Sequence, residues 1–423
     1  MNRYFDPSPL GRASLYSRNA CMPVSSRIVA TLTMHLSKPV LEQVLGEAMI
    51  RFPYVSVQLT VSEGDYVLVP STAPVKVFTA EDECLEFGSE ALCFRLFKVT
   101  VSDKTVCFDF HHAIADAAGM MVFVKSVLLR YIEASGFRVS NDGSVKLLSG
   151  SCVPAEIDEP ISRLEDKPAS RPVWYMDAKA LQVDRSGPAS QRVVQVRIPL
   201  ARIPHEFEMI SKEPEPFLLP LISHAVYDAH QDLMGAGEYV VASVQVDLRP
   251  YFPSASLLPY HTNVYLAYNR NIDEYPYRTV HMSQKKLLEA QLKTDALAYS
   301  VQKQLDELER ALAPEDFRIR VKNVDEMLMR KASKATYEVS RVGNVMMPEN
   351  MQRYISELYP VMTCGPYACA VSLMVYRGEI FATFTGGGDL RFIADRFAGL
   401  LNENDIQAFV SDEYDFVPMK GIA

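Results

Sequence analysis

Two adjacent histidines, His111 and His112, with Asp116 four residues after the second, are the residues whose types and spacing could do chemistry. An imidazole with an ordinary pKa of about 6.5 is a neutral base near pH 7, able to take a proton from a hydroxyl or amine and return it to a leaving group. Proton transfer by such a positioned group contributes roughly 10²–10⁴-fold. No serine or cysteine nucleophile need be invoked. Metal binding is poorly supported by the same residues. Neighbours along a strand face opposite ways, and a catalytic zinc asks for three convergent ligands that the local spacing does not supply.

The elements that must position this group can be read outward from it. Thr105 to Phe110 is rich in aromatic and β-branched residues and predicts a strand, joined to Cys93 to Val101 as a hairpin across Ser102-Asp103-Lys104. If the strand extends that far, Phe108, Phe110 and His112 share one face, with Cys107, Asp109 and His111 on the other. Only one histidine of the pair can then face a given pocket. Asp116 sits where a helix N-cap belongs, and Met120, Phe123, Val124, Val127, Leu128 and Tyr131 recur at helical spacing up to the stop signal Gly136. The motif is a strand-to-helix corner.

The stretch His111-His112-Ala113-Ile114-Ala115-Asp116-Ala117 resembles the HHxxxDG motif of the acyltransferase superfamily that includes chloramphenicol acetyltransferase, alcohol acetyltransferases and the condensation domains of nonribosomal peptide synthetases. Ala117 stands where the family has glycine. The resemblance implies that His112 is the general base, beside His111, and that Asp116 is structural and paired with an arginine. A second stretch, Asp247-Leu248-Arg249-Pro250-Tyr251-Phe252-Pro253-Ser254, resembles the N/D-L-R-x-F/Y-F-P-S pattern of the alcohol-acetyltransferase-like branch. It makes Arg249 the candidate partner of Asp116, against the alternative of a surface arginine closing a turn. The family's following Thr and Asn-Phe are absent, the chain running Ala255-Ser256-Leu257-Leu258-Pro259-Tyr260-His261 instead. Ser340-Arg341-Val342-Gly343-Asn344-Val345-Met346-Met347-Pro348 resembles a third family stretch, S-N-L-G-x-x-x-x-P, with Arg341 replacing the asparagine. His224, His230 and His261 have no motif behind them and read as structural.

As a class, the resemblance implies an α/β protein of two chloramphenicol-acetyltransferase-like domains. Each is a mixed, largely antiparallel sheet with flanking helices, and an active-site tunnel lies between them. The divisions expected are 1–150 for the domain carrying the motif, 151–186 for a linker or crossover, and 187–423 for the second domain. The implied activity is transfer of an acyl group from an acyl-CoA co-substrate to a small-molecule alcohol or amine, with no permanently bound cofactor and no metal. Two alternatives stand beside it. One takes the acyl thioester from a carrier protein acting in trans, since the chain has no Asp-Ser-Leu attachment motif. The other is a degenerate relative that binds a ligand without turnover. If the family glycine is chosen for a left-handed backbone, Ala117 costs about 1 kcal/mol or more; if the backbone is helical, alanine is harmless.

Composition narrows the partners. Hydrophobic residues at 48% and charged residues at 22% are globular values, and 43 basic against 52 acidic residues leave a net charge of −9 without a long basic stripe, so neither nucleic acid nor an anionic membrane surface is expected. No apolar run approaches a membrane span, and the first seven residues lack the apolar core of a signal peptide, which makes a cytoplasmic protein the expectation. Seven cysteines, odd in number and without a CxxC pair, point to reduced thiols rather than a disulfide framework.

Elsewhere the pattern predicts a strand over 27–36, a helix from Ser37 to Arg51, strands over 54–59, 66–69 and 75–78, and a strand over 191–200. A helix follows over 217–233 and a strand over 239–246, then one long helix from Gln284 to Leu312 and a hairpin over 368–384 turning at Arg377-Gly378. Trp174 is expected to anchor the proline-rich crossover. Gly386-Gly387-Gly388 lacks the Lys-Ser/Thr of a phosphate loop and reads as a turn.

Overall fold

The strand that leads into the histidines runs Thr105–His111 in the middle of a five-stranded sheet, ordered Ile355–Met362, Ser25–Leu32, Thr105–His111, Phe97–Ser102, Val77–Thr79. The computed structural model describes residues 6–18, 22, 24–79, 85–172, 178–183, 191–205, 207, 210, 213–269, 277–419 and 422. Trp174 lies outside them. The predicted hairpin pairs Ser102 with Thr105, but its first strand starts at Phe97 rather than Cys93. Cys93 and Phe94 hold φ values of 51° and 59°, a left-handed backbone that no strand admits. Likewise the strand expected from Tyr54 begins at Val57, because Val55 still bonds back to the Phe52 carbonyl in the turn that ends the preceding helix.

Ala117–Ala134 is the motif helix, and its apolar stripe, Met120, Phe123, Val124, Val127, Leu128 and Tyr131, is buried in the core shared with Lys38–Arg51 and the first sheet. Ser37 holds the N-cap position of Lys38–Arg51 without a capping bond from its side chain; its N–H donates to the Tyr131 hydroxyl at 2.7 Å instead.

The edge strand Ile355–Met362 comes from late in the sequence and pairs antiparallel with Ser25–Leu32. The two sheets therefore do not separate at a single cut in the chain. Val57–Ser62 and Asp65–Pro70 pair as a separate two-stranded sheet, and a nine-stranded sheet holds the other strands, seven of them along the path His261–Tyr268, Glu238–Asp247, Tyr337–Asn344, Cys369–Tyr376, Glu379–Gly386, Gln191–Pro199, Phe409–Val410. Tyr337–Asn344 is parallel to both neighbours and the other pairings on that path are antiparallel. Strand alternation gives this sheet two unlike faces. Val244, Val264 and Val339 enter the core beneath helices Glu215–His230 and Leu390–Glu403. Ser243, Gln245, Asn263 and Glu338 lie on the opposite face.

The long helix expected from Gln284 to Leu312 is two helices, Tyr277–Gln291 and Thr294–Leu312. Lys293 between them is extended, with φ −62° and ψ 143°. The break has a packing reason. Leu288 and Leu292 form one stripe and Leu297, Val301 and Leu305 another, and the five-residue step from 292 to 297 would rotate the second stripe off the core in an unbroken helix. Gln291 fixes the joint by accepting from the Tyr265 N–H (3.0 Å) and donating to its carbonyl (2.8 Å). Two further helices, Pro9–Tyr16 and Phe317–Ala332, were not foreseen, although Ser8 and Asp316 cap them with their side chains. The five described cysteines form no disulfide with one another.

Candidate active site

The motif strand ends one residue before His112. There the chain turns, with the His112 N–H donating to the Val24 carbonyl (2.9 Å) and the Ile114 N–H to the His111 carbonyl (3.2 Å). This turn separates the two histidines into different surroundings. His111 is fully buried, its Nδ1 accepts the Ala113 N–H at 3.0 Å, and its ring meets Phe87 edge to face with centroids 5.6 Å apart. Burial pushes its pKa down to about 3, so it is a neutral brace for the turn. His112 instead lines a cavity, with Nε2 3.3 Å from the Ser26 hydroxyl oxygen. Burial pushes its pKa down to about 4, against the opposing pull of Asp116, and leaves a neutral imidazole at pH 7.

Asp116 caps the motif helix, accepting the Gly119 N–H at 2.8 Å. Its Oδ2 accepts the Tyr260 N–H at 3.0 Å and an Arg249 N–H at 2.9 Å, while a second Arg249 N–H reaches Oδ1 at 3.3 Å. Burial alone would raise its pKa, but the Arg249 charge and hydrogen bonds outweigh it and hold the carboxyl below the usual range. Arg249 also donates to Asp247 (2.9 Å) and to the carbonyls of Ser256 and Leu258 (2.8 Å each). One guanidinium thus ties residues 254–260 to the corner that bears His112.

Ala117 is the first residue of the helix and is not among the residues with left-handed backbone, so alanine is harmless there. The glycine that the corner needs is Gly119. A Cβ built on it would lie 2.0 Å from the Leu257 carbonyl oxygen, a distance only glycine permits.

The cavity before His112 has a volume of about 110 Å³. Ser25, Ser26 and Thr363 stand on the His112 side, and Gln245, His261, Asn263, Lys331 and Glu338 on the side of the second sheet. His261 was read as structural, yet it lines this cavity, and burial lowers its pKa to about 4. The signal for it was its place directly after Tyr260, where the loop that Arg249 fastens gives way to the strand His261–Tyr268. The polar wall of Gln245, Asn263 and Glu338 is recorded in the sequence only as polar residues interrupting apolar strands. His224 and His230 lie elsewhere, the first stacked on Tyr268 and the second buried at its helix end. Arg341 pairs with the buried Glu215 at 2.5 Å and borders a separate cavity of about 510 Å³, which touches the first at Gln245. Among the described residues no cluster of three or more His, Cys, Asp or Glu could hold a metal ion, and no helix is long and apolar enough to cross a membrane.

No family model and no curated protein sequence matches this chain. Solved structures do. Polyketide synthase associated protein 5 from Mycobacterium tuberculosis superposes over 95% of this chain and 97% of its own, with TM-score 0.60 and 14% identity. The epimerization domain from the third module of tyrocidine synthetase B covers 96% of both chains, with TM-score 0.62 and 10% identity. The chain has the chloramphenicol-acetyltransferase-like fold. F. sporotrichioides TRI101, solved in complex with coenzyme A and T-2, superposes over 96% of this chain and all of its own, with TM-score 0.55 and 10% identity. At such identities the likeness is one of fold. One of these neighbours is an epimerization domain and another was solved with coenzyme A, so the chloramphenicol-acetyltransferase-like fold does not by itself choose a reaction.

Proposed function

We propose that this protein is an acyltransferase in which His112 removes the proton from an alcohol or amine acceptor as it attacks an acyl thioester, with acyl-CoA as the donor. One observation carries the reading: a single neutral imidazole of the pair faces a cavity, at a corner braced by a carboxylate and arginine that have no spare capacity of their own. His111 is no rival base, because it is sealed from the cavity and its Nδ1 is occupied. Asp116 is no rival either, since the Gly119 and Tyr260 N–H groups and Arg249 engage both its oxygens.

In the proposed step the acceptor's oxygen or nitrogen forms a bond to the thioester carbonyl carbon while His112 takes its proton. Collapse of the tetrahedral intermediate breaks the C–S bond, and the imidazolium gives the proton to the departing thiolate. The Ser26 hydroxyl, within hydrogen-bond reach of Nε2, supports the reading that this nitrogen can take a hydroxyl partner. Coenzyme A in a structural neighbour supports the donor class, as that neighbour's ligand.

The test is thiol release from a panel of acyl-CoA donors with mixed alcohol and amine acceptors. Release that requires both an acceptor and His112 supports the reading. Release equal in wild type and folded His112→Ala protein, or none with any donor, overturns it in this form.

A further inference from the structure

The wall opposite His112 holds an arrangement that general base catalysis does not use. Glu338, 6% exposed, points from Tyr337–Asn344 toward Gln245 and Asn263 on the two neighbouring strands. Both side-chain amides converge on one of its oxygens: Oε1 accepts from Gln245 Nε2 at 3.2 Å and from Asn263 Nδ2 at 3.5 Å. Asn263 is itself held by a hydrogen bond to the Ser243 hydroxyl at 2.9 Å. The other oxygen, Oε2, takes no hydrogen bond among the described residues. Lys331 lines the same cavity, and it too has no hydrogen bond or ion pair among the described residues, with Glu338 or any other group. A buried carboxylate with one oxygen pinned and one unused, in the cavity that the base faces, is a recognition element awaiting a donor.

We propose that the acceptor carries a second polar group, a hydroxyl or an ammonium, which donates a hydrogen bond to Oε2 of Glu338 while its reacting group meets His112. The inference rests on the reading of His112 as the base on the acceptor side. It makes the substrate a diol-like or amino-alcohol-like molecule rather than a simple aliphatic alcohol. Burial pushes the Glu338 carboxyl above its ordinary range, an effect that the Lys331 charge and the two amide hydrogen bonds offset only in part, and the lysine forms no direct bridge to it. A buried polar oxygen left without a donor is costly, and a site built to hydrogen-bond a second group of its substrate discriminates against an analogue that lacks that group.

The experiment compares, with acetyl-CoA as donor, 1-alkanols of three to six carbons with the terminal diols and amino alcohols of the same lengths. At the best length the bifunctional acceptor should exceed its matched alcohol in kcat/KM by about tenfold or more. Glu338→Gln should bring that ratio to near one, and Glu338→Asp, whose oxygen is set back by one methylene, should move the optimum to a longer acceptor. A wild-type ratio near one, or a ratio and optimum unmoved by both variants, overturns the proposal. If no acceptor releases thiol, the acyltransferase reading fails and calorimetric titration of 1,4-butanediol, 4-amino-1-butanol and 1-butanol into His112→Ala protein decides this one separately. Binding of the bifunctional ligands alone, lost on adding Glu338→Gln, supports it; equal binding or none refutes it.

Discussion

Replacing Asp116 with alanine removes four hydrogen bonds at the one point where the two halves of the site are tied, and its cost can be worked from the contacts. Loss of the cap on the Gly119 N–H costs about 1 kcal/mol. The Tyr260 N–H, left buried without an acceptor, adds about 1–2 kcal/mol. Stranding a buried arginine outright would cost about 3–5 kcal/mol, but Arg249 keeps Asp247 at 2.9 Å and two carbonyls, so about 1–2 kcal/mol is the better figure. The sum is about 3–5 kcal/mol. Urea unfolding followed together by fluorescence and circular dichroism measures it, and coincident curves establish a single transition. The double variant with Arg249→Met should lose less than the sum of the singles, since both substitutions remove the same pair. The folded Asp116 carboxyl titrates below its ordinary value, so its stabilisation is whole above the usual carboxylate range and is lost as pH falls through the folded pKa. The gap between wild type and Asp116→Ala should close under acid. A loss under about 1 kcal/mol, or strict additivity with Arg249→Met, would refute the tie.

His112→Ala should lower turnover by roughly 10²–10⁴-fold with little change in melting temperature; a large fall in stability would mean that the ring is a packing element. Gly119→Ala should destabilise by more than about 2 kcal/mol, because its Cβ must push the Leu257 carbonyl away, whereas Ala117→Gly should cost no more than about 1 kcal/mol and gain no activity. Equal effects of these two substitutions in urea titrations would contradict the assignment of the needed glycine to Gly119. The histidines give a pH signature: with folded pKa values near 4 for His112 and His261, below the ordinary 6.5, the unfolded chain binds protons that the folded one refuses. Their contribution is therefore whole above about pH 6.5 and declines toward 4, by about 2 kcal/mol per histidine at pH 5, and each should be recovered in the corresponding histidine-to-glutamine variant's stability difference between pH 7 and pH 5.

The corner was legible because it is local. Strand, turn, cap and helix follow one another within thirty residues, although the turn after His111, rather than strand alternation, is what separates the two histidines. Arg249 lies 133 positions from Asp116 and was found through its own motif rather than through any pattern linking the two. What stayed hidden depends on pairing between distant segments. Nothing local in Ile355–Met362 says that it joins Ser25–Leu32 rather than the sheet of its sequence neighbours, because an apolar strand fits either. His261, Gln245 and Glu338 share a wall only because three strands align them in register, a relation without a signature in the separate stretches. The broken helix at Lys293 could have been read from the slipped stripe between Leu292 and Leu297, had the phase been followed across the joint.

The arrangement also explains why alanine at position 117 leaves the corner undisturbed. Ala117 begins the helix with ordinary backbone, and the demand for a missing side chain falls two residues later, where the loop 254–260 presses against the helix. The same loop delivers Tyr260 to Asp116, holds Arg249 through the Ser256 and Leu258 carbonyls, and ends at His261 on the cavity wall. His112 is held from one sheet, whereas Arg249, whose charge balances Asp116, and the wall that faces His112 come with the other. Seating of the loop and completion of the site are therefore one event. A substitution at Gly119, which does not line the cavity, should disturb acceptor selection as much as it disturbs stability, because both depend on where Leu257 comes to rest.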